Sequence, residues 1–413
     1  MESEENQLME NMMQAEVQVG QEKAGLGIAK TLAFTAASGL AIGNLYWSQP
    51  LLSIMAMDFG ISEAQAGTLF TATQLGYAAG VFLLVPLGDI RRRRFLIPFL
   101  MGLSALALLG VAMAPTFMTL ALALAAVGMS TVSGQIIIPL VSELARPEER
   151  GKLIGIVVSG IMLGILLSRT ISGLVADLAD WRLLYEGAAL ATFLMALLVR
   201  QVLPELPVRS QVSYREQLVG VLSSVYTVEK VAKFLIIGGL IFGVFNLFWT
   251  ALTFLLSAPP FSFSTFKIGL VSLAGAAGAV ASMGAGRLMD KGLGIPAMGI
   301  PAMGILLLVA VLSMAVSVAA AKFVIALVVI AALVSLASQG VAVLAQTSLL
   351  ALRPAAASRL NSTFVVNNFL FAAVGSALAS FLWGQGGWLY VACGGCLMAA
   401  LGVLAWLLFR KSL

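Results

Sequence analysis

Long stretches without a charged side chain dominate this chain. Residues 31–57, 64–88, 234–266, 268–286, 292–321 and 323–352 contain no Asp, Glu, Lys or Arg. Each is long enough to carry one helix across a hydrocarbon core, for which about 20 apolar residues suffice. Two further runs, 95–142 and 360–409, are more than twice that length. Each predicts two helices, divided at Ala114-Pro115 and at Gly384-Gln385-Gly386-Gly387, where helix-breaking residues sit. Two more spans, about 152–176 and 183–200, are interrupted by Arg169 and Glu186 respectively. The pattern predicts an all-α membrane protein with twelve crossing helices.

Composition agrees. Of 413 residues, 60% are hydrophobic and 10% charged, whereas a soluble domain carries about 25% charge to cover its surface. Lysine and arginine concentrate in cytoplasmic loops. With both termini in the cytoplasm, 20 of the 24 basic residues lie on that side; Arg182, Lys267 and Lys322 lie outside and Arg169 lies within a span. The net charge of +5 is therefore assigned to topology rather than to nucleic-acid binding. The first 22 residues hold six glutamates and neither lysine nor arginine, the composition of a disordered tail and not of a signal peptide.

The one long polar segment, 201–230, divides the spans into two sets of six. The predicted organisation is an acidic tail over 1–29, a six-helix bundle over 30–200, a cytoplasmic linker over 201–230 and a second bundle over 231–413. The halves are related by repetition. Asn44-Leu45-Tyr46-Trp47 matches Asn246-Leu247-Phe248-Trp249, Asp89 matches Asp290, Arg146-Pro147 matches Arg353-Pro354, and Trp181 matches Trp388, at offsets of 201 to 207 positions. The tandem pentapeptide GIPAM at 294–298 and 299–303 accounts for most of the change in offset. Six spans return the chain to the cytoplasm before the second copy begins, so the repeats are parallel, an arrangement seen in the halves of one large transporter class.

The loop after the second span, Val85-Pro86-Leu87-Gly88-Asp89-Ile90-Arg91-Arg92-Arg93-Arg94, resembles the G-x-x-x-D-R-x-G-R-[RK] signature of the major facilitator superfamily. Asp89, Arg93 and Arg94 match; Val85, Ile90 and Arg92 depart. The second copy, Gly286 to Gly292, keeps the Gly, Asp290 and a basic follower. An arginine cluster beside a helix C-terminus, with an acid able to pair with it, suits a contact that holds one conformation closed; a purely topogenic role is the alternative. Glu143 and Arg150, with six residues between them, are similar to a cytoplasmic charge pair of sugar-porter relatives. These six residues, Asp89, Arg93, Arg94, Glu143, Arg150 and Asp290, are the gating candidates.

In the fifth span Gly155, Gly164, Ser168-Arg169 and Ser172-Gly173 have the spacing of a motif that marks drug:proton antiporters, with Ser-Arg in place of its Gly-Pro. Small residues there permit close helix approach. Arg169 is the one charge far from either surface, a placement that costs about 2.5 to 3.5 kcal/mol unless it is satisfied. A salt bridge to Glu186 is one reading; binding of an anionic substrate, or proton coupling with Glu186, is the other. The arginine usual in the family's fourth span is replaced by Leu124, and the chain has no histidine, which leaves Glu186 as the coupling candidate.

Uncharged polar residues recur at helical spacing on the spans that line the cavity in the resembled family. The cavity candidates are Asn44, Gln74, Tyr77, Gln135, Arg169, Asn246, Trp249, Gln339, Gln346 and Asn368. Interhelical hydrogen bonding, at about 0.6 kcal/mol per bond, is the alternative for each singly. Cys393 and Cys396 are assigned to packing, and the absence of a GxxxxGK[ST] motif removes ATP as a direct energy source; no cofactor or metal is expected. The resemblance implies a monomeric bacterial inner-membrane exporter of a sugar or drug-like solute, its partners being that solute, the lipid bilayer and protons. The scarcity of charge suits neutral cargo. An uptake permease and a non-transporting membrane sensor are the alternatives, and the lack of paired mid-membrane carboxylates argues against an enzyme.

Overall fold

The computed structural model describes residues 26–278 and 299–412, apart from 147, 207, 209–211, 228, 354, 355 and 411. Asp290 and the first GIPAM copy lie outside the described residues. In the first half the helices are α1 (Ile28–Gly43), α2 (Leu52–Phe59), α3 (Glu63–Leu83), α4 (Arg93–Ala112), α5 (Phe117–Ser130), α6 (Ser133–Leu144), α7 (Arg150–Leu178) and α8 (Trp181–Val202). The linker carries α9 (Tyr214–Thr227). The second half contains α10 (Glu229–Ser257), α11 (Thr265–Val271), α12 (Ile300–Ala320), α13 (Val324–Leu352) and α14 (Ala357–Phe409).

Local sequence explains most boundaries. The Ser62 hydroxyl and Gln65 form a capping box that opens α3, and Thr116 with Thr119 does the same for α5. Asp180 accepts the Arg182 N–H at 2.8 Å and opens α8. Within α14 the chain reverses at Gly386–Gly387, Gly387 having φ +61°, a conformation that only glycine adopts without strain. Gly394 then lies against Leu382, so α14 is a hairpin of two helices.

One predicted span is not a single helix. Over 31–57 the chain leaves the α-helix at Asn44, turns through Ser48, makes a 3₁₀ turn over Gln49–Leu51 and re-enters a helix at Leu52. Pro50 supplies the cause: it has no N–H for the Tyr46 carbonyl, and its ring crowds that carbonyl. In the second copy Leu252 occupies the matching position and α10 runs unbroken. The run 95–142 also has a second break, at Thr131–Val132, between α5 and α6.

Among the described residues, nine helices are long and apolar enough to cross a membrane, α14 counting once. Their outward faces carry exposed Leu, Ile, Phe and Met side chains, Phe99, Leu122, Phe193, Leu312 and Phe381 among them. Such a surface suits lipid rather than water. The first half packs around one apolar cluster and the second around two. The halves meet along two seams, α3 against the first helix of α14 and α7 against α11. The linker helix touches both halves: the Tyr214 hydroxyl donates to the Leu83 carbonyl at 2.7 Å, and the Thr363 hydroxyl donates to the Val221 carbonyl at 3.1 Å.

Candidate solute cavity and its two ends

A cavity of about 630 Å³ lies between the halves. From the first half it is lined by Tyr46, Asp89, Arg93, Gln135, Ser142 and Ile165, and from the second by Phe242, Gln339, Gln346, Asn361 and Asn368. It opens toward the end of the molecule that carries the linker. The lining is mainly apolar, with amide side chains at intervals, the composition typical of sites for small organic ligands. Gln346 donates to Asn361 at 2.7 Å, while the Asn368 carbonyl oxygen has no partner.

Of the ten cavity residues expected from sequence, Gln135, Gln339, Gln346 and Asn368 line this space. The other six lie behind it. Asn44 donates to Thr192 at 3.1 Å and accepts from Trp47 at 2.8 Å, all within the first half. Tyr77 is buried against Phe369 and receives a hydrogen bond from Gln135 at 3.0 Å. Gln74 donates to Asn246 at 2.8 Å across the seam between the halves, and Trp249 donates to Ser335 at 3.3 Å. Sequence reasoning missed Tyr46 and Asn361, which line the cavity; both lie near residues that it did select.

Arg169 departs from the salt-bridge reading. It is 1% exposed and has no carboxylate partner among the described residues; Glu186 is exposed and does not pair with it. Its guanidinium instead lies between two aromatic rings, 5.0 Å from the centroid of Tyr46 and 4.8 Å from that of Trp249. Cation–π contacts offset part of the cost of a buried charge. Nε and Nη2 have no hydrogen-bond partner among the described residues.

At the linker end, Arg93 is the central cation. Its Nη1 meets Glu143 at 2.7 Å, its Nε donates to the Gly88 carbonyl at 2.8 Å, and Nη2 lies 3.9 Å from Asp89. Glu143 thus pairs with Arg93 where the spacing had suggested Arg150, which is exposed. Arg94 pairs with Glu205 of the linker at 3.0 Å, on the surface. All these contacts join the first half to itself or to the linker.

The far end is held differently. The Trp383 indole donates to Glu63 at 2.7 Å, the hydroxyls of Ser53 and Ser257 are 2.9 Å apart, and those of Thr71 and Ser376 are 2.8 Å apart. Asp177 accepts the backbone N–H groups of Thr265 and Phe266 at 3.0 and 3.2 Å. Every one of these bonds crosses from one half to the other. The fifth-span small residues serve here too. A side chain on Gly173 would meet the Thr265 carbonyl at 2.3 Å, and one on Gly164 would meet the Gly39 carbonyl at 2.1 Å. A depression of about 510 Å³ lined by Ser53, Glu63, Asp177, Ser257 and Thr265 lies outside this seal. It shares no lining residue with the central cavity.

Apolar helices long enough to cross a membrane, with a cavity lined from both halves of the chain, are the arrangement of a membrane transporter. The sequence profile of the Major Facilitator Superfamily matches residues 34–370, and the chain belongs to that family, which is one of transporters and not of enzymes. It is a multi-pass integral membrane protein. The chain is 37% identical over 371 residues to the putative uncharacterized transporter YgaY of Escherichia coli K12, covering 90% of this chain and 93% of that one. Among solved structures, a bacterial homologue of the human lysosomal transporter Spinster superposes with a TM-score of 0.70 at 14% identity, covering 93% of this chain and 95% of that one. The nucleoside transporter NupG gives the same TM-score at 16% identity, covering 92% and 99%.

Proposed function

We propose that the protein exports a small organic solute by alternating access, with twelve crossings and both termini in the cytoplasm. The observation that carries this reading is the pair of unconnected spaces, the central cavity and the far-end depression, separated by contacts that run between the halves. The charge pattern supports a cytoplasmic linker end; on that orientation the cavity faces inward, and rocking of the halves would exchange which space is continuous with it. Amide and aliphatic lining suits a solute with hydrogen-bonding groups on an apolar body, sugar or drug-like.

Energetics support a two-state device. The hydroxyl and amide bonds across the far end are of the kind worth about 0.6 kcal/mol each in a membrane, so the seal as a whole is worth a few kcal/mol. A solute with differential affinity can shift an equilibrium of that size. For proton coupling, Glu186 is exposed and lines neither space, whereas Glu63 and Asp177 line the outer one and also hold the halves together. Protonation of these two carboxylates would weaken the seal, which makes them better coupling candidates.

The test is distance measurement between spin labels in liposomes, with one pair at Glu149 and Ala351 and another at Met57 and Lys267, all exposed positions. A transported solute should draw the first pair together as the second pair separates. Distances that stay fixed while a solute binds would favour the sensor, and counterflow in proteoliposomes separates export from uptake.

A further inference from the structure

Arg169 carries a feature that the transport reading leaves unused. It is a fully buried cation whose Nε and Nη2 have no hydrogen-bond partner, and which has no acid to answer it, among the described residues. On α7, Ile165 lines the central cavity and Asp177 lines the far-end depression. Arg169 lies between them, about 6 Å along the axis from the first and about 12 Å from the second by helical rise. It therefore sits in the barrier between the two spaces. A small pocket of about 20 Å³, no larger than one water, lies against it and is lined also by Met162, Ile165, Phe245 and Gln339. Met162, Ile165 and Gln339 line the central cavity as well. Tyr46, which lies against the guanidinium, lines that cavity too.

The surroundings are selective. Tyr46 belongs to the first half and Trp249 to the second, and each presents a ring face to the guanidinium. Neither ring accepts a conventional hydrogen bond, and Nε and Nη2, neighbouring nitrogens on one edge of the guanidinium, have no partner among the described residues. A carboxylate matches a guanidinium edge with two parallel charge-assisted hydrogen bonds, which an ammonium or a neutral group cannot do.

Resting on the transport reading, we propose that Arg169 is the anchor for the acidic group of the solute, and that the cargo is an organic monocarboxylate with an apolar body. The apolar lining and amides of the cavity take the body, and the carboxylate reaches Arg169 at the closed end. Because the guanidinium touches both halves, the acid binds where the barrier is made, and its charge neutralises the one uncompensated cation there.

The experiment uses the full chain in nanodiscs and a panel of aromatic and aliphatic monocarboxylates, each paired with its primary amide. Binding is read by thermal shift and by indole emission. Acids should bind and raise the melting temperature, and their amides should bind on the order of tenfold or more weakly. Arg169→Gln should lose that preference and Arg169→Lys should retain part of it. The acid-against-amide comparison uses the unaltered protein and so stands whether or not the variants fold. Equal binding of acids and amides, undiminished acid binding by Arg169→Gln, or a panel in which no acid binds would each overturn the proposal. If uncharged solutes bind and drive the label movements while acids do not, the anchor fails and alternating access stands; if acids bind with no movement at either end, the reverse holds.

Discussion

The two ends of the molecule are held by different kinds of contact. At the linker end, among the described residues, charge pairs such as Arg93 with Glu143 at 2.7 Å stay within the first half, and a wide cavity lies between the halves. At the far end hydroxyl pairs, and an indole and two backbone N–H groups donating to the Glu63 and Asp177 carboxylates, cross between the halves. Ion pairs hold the first half as a body, and a small number of hydrogen bonds, without an ion pair among the described residues, close the gap between the halves. A machine that must break one seal and form another on each cycle needs the second kind, because a seal worth tens of kcal/mol could not be opened by a solute.

Three perturbations test this contrast. The largest effect is expected from Glu63→Gln combined with Asp177→Ala. Together they weaken the acceptor for Trp383 and remove the one for the N–H groups of Thr265 and Phe266. The Met57–Lys267 label pair should show a new long-distance population, shifted by about tenfold or more relative to the parent, with little loss of bundle stability. An unchanged distribution would mean that these acids do not hold the far end.

Next is a pair of glycine substitutions that share chemistry and differ in place. Gly173→Val drives a side chain into the opposite half at Thr265, and Gly164→Val drives one into α1 of the same half at Gly39. The first should open the far end with a modest change in melting temperature. The second should lower the melting temperature, by overpacking worth about 1–3 kcal/mol, without changing which end is open. Equal behaviour of the two would erase the distinction between seal and scaffold. The smallest effect belongs to a double-mutant cycle on Gln74→Leu and Asn246→Leu, whose coupling in chemical denaturation should be about 0.6 kcal/mol.

Particular residues show how much was legible in advance. Ala114-Pro115 and Gly386-Gly387 marked their helix ends because the signal is the backbone chemistry of the residues themselves. Pro50 was equally visible, yet the broken first span was read as one helix because the hydrophobic run continues through it. The Asn44 and Asn246 motifs are nearly identical in sequence and differ in use: Asn44 bonds within its half, and Asn246 bonds across to Gln74. Glu143 was singled out on its spacing from Arg150, but a partner 50 positions earlier, Arg93, takes it. Glu63 and Asp177 gave no signal at all, since each stands at a helix end where acids are ordinary.

The sequence by itself determined that this chain enters a membrane, where its main apolar helices run, that its halves repeat, and that one arginine lies deep in a span. These are properties of local composition, and transfer of a side chain into lipid depends on little else. Only the tertiary structure decided which end is open, which polar residues face the cavity, and that Arg169 meets two rings in place of an acid. Those outcomes join residues as distant as Glu63 and Trp383, 320 positions apart, and depend on how whole helices are packed, which no local pattern records.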